Sequence, residues 1–237
     1  MTYSLSKTAL VAALVVAAGS ASATTFDFSN LKWNGSTNSG FLPTDGVKCT
    51  GGDLCSSNVD GKVFGGDLTY VADGLTVRAT GWYNGNKVAA VQDHDNGYNP
   101  AKKIGAGLGV YHKLDNSDDN ITVGETLKMS FAEVVNLTSI GLRSDGHNTS
   151  WDTDAQFQYS QDGSSWISAK LKADKSLNLT GKHFYFRYGS DTNHCPDQFY
   201  LASMTVTAVP EPETYAMLLA GLGLLGTVAR RRKAPQA

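Results

Sequence analysis

Charge is scarce in this chain. Lys and Arg number 20 and Asp and Glu 22 among 237 residues, a formal net charge of −2. A dense basic surface able to displace the counterions of a nucleic acid is therefore missing, and no nucleic acid is expected as a partner. Helical spacing is missing as well. Between about Thr24 and Val209 no long run repeats apolar residues at helical intervals with caps at its ends, which points away from helices. The short catalytic signatures are also absent. There is no H-E-x-x-H pair, no Cys/His zinc spacing and no G-x-S-x-G elbow, so a zinc protease or serine hydrolase would lack its usual local machinery. His194 stands beside Cys195, but no third group orients the pair.

What the chain does have is short alternation bounded by turn-formers. Asp67–Val71 and Leu75–Tyr83 alternate apolar with polar residues, and Ala72-Asp73-Gly74 between them reads as a hairpin turn. Glu125–Phe131 places Leu127, Met129 and Phe131 on one face, and Leu137–Leu142 follows after a break. Ala155–Tyr159 turns at Asp162-Gly163 and returns through Trp166 and Ile167. His183–Tyr188 and Gln198–Thr207 are the late strands, the second with Phe199, Leu201 and Met204 turned inward. The expected fold is all-β: an antiparallel β-sandwich, jelly-roll-like, whose two sheets each bury one face against the other.

The two ends are of another kind. Lys7, the apolar run Thr8–Ala18 and Ala21-Ser22-Ala23 read as a secretory signal peptide over residues 1–23, which implies signal peptidase and the general secretion machinery as partners. The alternative is a buried N-terminal helix. Residues 24–208 are then the exported domain. Beyond it, Val209-Pro210-Glu211-Pro212-Glu213 should interrupt the sheet with an accessible strip, because proline fixes φ and removes a donor. Thr214–Ala229 follows, about sixteen residues without a charge, against the roughly twenty a comfortable membrane span needs. Arg230, Arg231, Arg232 and Lys233 read as a membrane stop held on the cytoplasmic side, so residues 209–237 are expected to contain a transmembrane helix. A permanent anchor, packed through Ala220, Gly221, Gly223 and Gly226, is the alternative.

Pro210-Glu211-Pro212, the Gly/Leu-rich span and the Arg cluster resemble the PEP-CTERM sorting signal of Gram-negative bacteria. The resemblance implies recognition by exosortase, a membrane cysteine protease. It would cut near the Pro-Glu-Pro strip and pass the protein from an inner-membrane intermediate to the cell surface or the exopolysaccharide matrix. Gly107-Leu108-Gly109-Val110, Leu114-Asp115-Asn116 and Asp119–Phe131 resemble the midsection of XDP1-type exosortase-dependent surface proteins. Tyr159–Trp166 resembles a hairpin of discoidin-like carbohydrate-binding sandwiches. The expectation is a non-enzymatic surface or matrix protein, structural or glycan-associated. The alternatives are a carbohydrate-active enzyme, which needs only two placed carboxylates, and a calcium-dependent adhesive module acting on exopolysaccharide.

Three sets of residues carry the chemistry. Cys49 and Cys55 enclose a five-residue loop and are the expected disulfide, which leaves Cys195 over. Trp82 and Trp151, beside Asn/Gly/Asp-rich loops, are the candidate glycan contacts, against the alternative that tryptophan fills the core. Asp93 and Asp95 in one loop, with Asp115, Asp118 and Asp119 in another, are candidate calcium ligands. No EF-hand is complete, because Ile104 stands where its bidentate glutamate belongs, and plain solvated turns are the alternative.

Overall fold

The computed structural model describes residues 22–49, 51–56, 67–94, 105–112, 119–190, 198–210 and 212–232. The strand-bearing unit runs from Ala23 to Ala208. Its strands are β1 (Ala23–Asp27), β2 (Leu31–Trp33), β3 (Asn38–Gly40), β4 (Gly46–Lys48), β5 (Leu54–Ser56), β6 (Leu68–Ala72), β7 (Leu75–Tyr83), β8 (Asn86–Asp93), β9 (Gly107–Tyr111), β10 (Glu125–Ser144), β11 (Gln156–Ser160), β12 (Ile167–Lys170), β13 (Asp174–Ser190) and β14 (Phe199–Ala208).

The alternation read from the sequence is what the strands obey. Leu75, Val77 and Ala79 of β7 are buried while Thr76 and Arg78 face outward, and Leu127, Met129 and Phe131 of β10 are buried while Lys128 and Ser130 are not. The β6–β7 turn is tight because Asp73 and Gly74 both take positive φ, 48° and 80°, the geometry that matches the twist of a two-residue hairpin. Asn84 and Gly85, at 47° and 81°, make the same turn between β7 and β8.

The all-β antiparallel class holds, but the expected jelly-roll sandwich gives way to a barrel-like sheet. β10 is the cause. Its first part, Glu125–Phe131, pairs with β7. A register shift between Ser130 and Val135 then re-aims the strand, and from Val135 to Ser144 it pairs with β14. Since β7 pairs β8, β8 pairs β9 and β9 pairs β14, the path β10–β7–β8–β9–β14 returns to its start. β13 lines the other edge of β10 and carries β11 and β12 outward. Glu125–Phe131 and Leu137–Leu142 are thus one bent strand rather than two.

The core inside this sheet is rich in rings. Phe26, Phe28, Tyr70, Phe131 and Phe184 are buried; Phe26 meets Phe28 and Phe131, Phe28 meets Tyr70 and Phe131 meets Phe184, edge-on or stacked, at centroid distances between 4.9 and 6.2 Å. One polar side chain is fully buried among them. Gln92 accepts from the Tyr70 phenol at 3.0 Å and donates to the carbonyls of Phe28 and Phe41, each at 2.9 Å, so its amide costs little to bury.

Outside the strand-bearing unit, α1 (Pro212–Arg232) is a single helix. Proline at its first position needs no donor there. The expected helix therefore forms, but the expected transmembrane span is not found: among the described residues no helix is long and apolar enough to cross a membrane. The glycine-interrupted uncharged run is short, and the charges at both ends fall within the helix itself.

Phe199 is fully buried and meets Phe157 at 5.8 Å, whereas Ile167 on β12 is 51% exposed. Phe199→Ala is expected to cost about 3–5 kcal/mol and Ile167→Ala under about 0.5 kcal/mol in urea unfolding. Equal losses would contradict the assigned core.

Candidate functional site

Two places on the strand-bearing unit gather functional side chains. The first is a groove of about 450 Å³ on the outward face of β7, β10 and their neighbours. Period-2 alternation sends Thr76, Arg78, Thr80 and Trp82 of β7 and Lys128 and Ser130 of β10 to this face, where Lys87 of β8 and His183 of β13 join them. Three basic side chains, Arg78, Lys87 and Lys128, face one carboxylate among the described lining residues, Asp67. Asp67 is held by Lys87 at 2.8 Å and lies 3.8 Å from Arg78. Burial, with Lys128 and Lys182 nearby, holds the His183 imidazole below its usual pKa, so near neutrality it is an uncharged hydrogen-bonding group.

The second is a cluster of carboxylates and imidazoles where β5 meets β8. The two strands pair Leu54 with Gln92, which sets the next residues, Asp53 and Asp93, side by side. Both are buried, at 6% and 4% exposure, and like charges placed opposite each other are unfavourable unless something lies between them. His94 Nε2 lies 3.4 Å from Asp53 Oδ1, and His147 Nε2 lies 2.8 Å from Asp93 Oδ2. The Asp53 loop is braced by the joined Cys49 and Cys55, whose Cα atoms are 5.2 Å apart, and by the Cys49 amide donating to the Asp53 carbonyl at 2.9 Å. Gly52 is required in this loop, because a Cβ there would fall 2.5 Å from the Trp33 ring. His147 reaches the cluster from the turn after β10 in a left-handed conformation, φ 57°, that a non-glycine residue seldom takes.

Asp119, Asp145 and Tyr200 complete this neighbourhood. The Tyr200 phenol donates to Asp119 at 2.6 Å, and Asn120 donates to Gln198 and, at 3.5 Å, to Asp145. Burial pushes the Asp119 carboxyl up to about 6; Asp53 and Asp145 add to the rise, while the Tyr200 hydrogen bond and His147 oppose it. Burial likewise raises the Tyr200 phenol, and Asp93, Asp119 and Asp145 add to that. The region carries more negative charge than its histidines balance.

The third functional segment lies past the last strand. β14 ends at Ala208, Val209 and Pro210 are exposed, and the chain turns helical at Pro212. The interruption expected of the prolines occurs, but Pro212 and Glu213 belong to the helix rather than to an extended strip, and Glu211 lies outside the described residues. Residues 208–233 match the PEP-CTERM protein-sorting motif. The match takes in the exposed Val209-Pro210, the whole of α1 and Lys233, which lies outside the described residues. A PEP-CTERM motif is recognised by exosortase and marks a protein exported through the membrane to the cell surface or extracellular space. No curated protein matches the chain, and the XDP1-type resemblance of the midsection gains no support from a homologue.

The residues singled out in the sequence thus fall apart into different environments. Trp82 lines the groove, whereas Trp151 is half-buried and packs against the core. Trp166, in the discoidin-like hairpin, is covered by the Arg187 guanidinium at 3.8 Å. Its Asp162 accepts from the amides of Ser164 and Ser165 and from the Ser160 and Ser165 hydroxyls, which hold the carboxyl well below the usual range. Asp93 and Asp119 both lie near Tyr200, while Asp95, Asp115, Asp118, Cys195 and His194 lie outside the described residues. Sequence reading missed Asp53, His94, His147 and Asp145 as a group, because only the β5–β8 pairing and the turn after β10 bring them together.

The raised pKa of Asp119 has a definite sign. Unfolded aspartate titrates near ~3.9, so between about pH 4 and about pH 6 the folded chain holds the extra proton and stability falls as pH rises. In chelator-treated protein, Asp119→Asn is expected to gain up to about 3 kcal/mol over the parent at pH 7 and almost nothing at pH 4, read by urea unfolding. The same offset at both pH values would contradict it.

Proposed function

We propose that this protein is a non-enzymatic surface or matrix component, exported by the general secretion route and released or relocated by exosortase, whose β unit associates with acidic exopolysaccharide. The observation that carries the reading is the PEP-CTERM motif appended directly after the last strand of an all-β unit. The groove supports the glycan part. An indole flanked by Arg78, Lys87 and Lys128 offers a flat apolar surface for a sugar ring and cations for its carboxylates or sulfates. Asp67 speaks for binding rather than hydrolysis in the groove, since Lys87 and Arg78 engage it and glycoside hydrolysis needs two carboxyl groups, whereas Asp67 is the one carboxylate among the described lining residues.

Two measurements separate the parts of this reading. Mass spectrometry of the protein from cells with and without exosortase is expected to show loss of the Arg-rich C-terminus only when the enzyme is present; an intact C-terminus in both would reject processing. Binding of a uronate-rich exopolysaccharide is expected to weaken about tenfold, ~1.4 kcal/mol, in Trp82→Ala and in Lys128→Glu, and to fall with added salt. Affinity unchanged in both variants would reject the groove.

A further inference from the structure

The carboxylate and imidazole cluster is independent of the sorting motif and of the groove. Ligand atoms of Asp53, Asp93 and His94 all lie within 4.8 Å of one another. Asp53 and Asp93 are each more than nine-tenths buried, and they approach from adjacent strands, so their mutual repulsion is built into the sheet register rather than into a loop free to relax. Among the described residues Asp93 Oδ2 accepts no hydrogen bond, and its contact is the ion pair with His147 Nε2 at 2.8 Å. A buried carboxylate oxygen left in this condition is unfavourable in an otherwise complete fold, and a cation bound by the carboxylates removes the cost.

We propose that Asp53, Asp93 and His94 bind a divalent transition cation of the zinc class, with His147 positioning Asp93. The donor set decides the class. Calcium takes six to eight oxygens, whereas an imidazole nitrogen beside carboxylate oxygens suits zinc and its neighbours. One pair has the spacing of tetrahedral zinc ligands, which at ~2.0–2.1 Å from the ion lie about 3.4 Å apart: His94 Nε2 is 3.4 Å from Asp53 Oδ1, and all three ligand atoms fall within 4.8 Å. Two carboxylates and one neutral imidazole give a bound divalent ion a neutral first layer. His147, a ring nitrogen against the carboxylate of a ligand, has the place of the outer partner that orients metal ligands. The hairpin joined by Cys49 and Cys55 fixes Asp53 beforehand, so little ordering remains when the ion enters.

The test is calorimetric titration of the full chain, stripped with EDTA, with zinc chloride alone and with calcium chloride alone. One zinc per chain is expected, with calcium at least a hundredfold weaker. Asp53→Asn and His94→Gln should each weaken zinc at least tenfold while leaving the near-ultraviolet circular dichroism of the stripped protein unchanged. Absence of stoichiometric zinc binding, calcium binding as tight as zinc, or zinc binding untouched by both substitutions would overturn the site. If the variants do not fold, cobalt added to the parent chain decides: visible absorption of a tetrahedral nitrogen and oxygen site supports it, and the spectrum of hydrated cobalt overturns it.

Discussion

The structure depends on one strand serving three neighbours. β10 runs for 20 residues, and the register shift after Ser130 lets the same edge that pairs β7 go on to pair β14. Without that bend, β14 would reach β10 only the long way round, through β9, β8 and β7, and the sheet would stay open. With it, the path through β8 and β9 closes, and an edge that would otherwise expose its hydrogen-bonding groups is absorbed into the barrel-like sheet. Residues too distant in sequence to meet by local preference are thereby set against one another: Leu142 pairs with Leu201, Ile140 with Met204, and Leu127 with Phe186.

Strand pairing also places both functional regions. The groove needs β7, β10 and β13 side by side, because its lining comes from the outward positions of each. The carboxylate cluster needs the opposite kind of help, in that β5 must add to the edge of β8 while the turn after β10 carries His147 across to Asp93. Charge follows the same division. The groove gathers cations on a solvent-facing sheet, and the cluster gathers carboxylates in a buried corner, so the nearly balanced chain presents two regions of opposite sign.

Strands with one wet face were legible in the sequence. β6, β7, the first part of β10, β11 and β14 alternate, and the turns at Asp73-Gly74 and Asp162-Gly163 carry their own chemistry. β8 and β9 were not legible as strands, because Val88–Asp93 and Gly107–Tyr111 are buried without a break and show no period of two. The barrel was missed for a related reason: a bulge that redirects β10 reads in sequence as the gap between two strands. At the sites, Trp82, Asp93 and the cysteine pair stood out locally, whereas Asp53, His94 and His147 acquire meaning only through pairings between distant segments. The sorting motif lay at the other extreme, since its order of unlike elements needs no fold to be read.

The central claim, that β10 closes the sheet, is tested most directly by native-state hydrogen exchange. Amides of Leu127–Phe131, paired toward β7 and β13, and of Leu137–Leu142, paired toward β13 and β14, should open together at the global unfolding free energy. If the second group and its β14 partners, Leu201 to Val206, exchange through a separate opening of lower free energy, β10 does not unite the two halves and the barrel is not the cooperative unit.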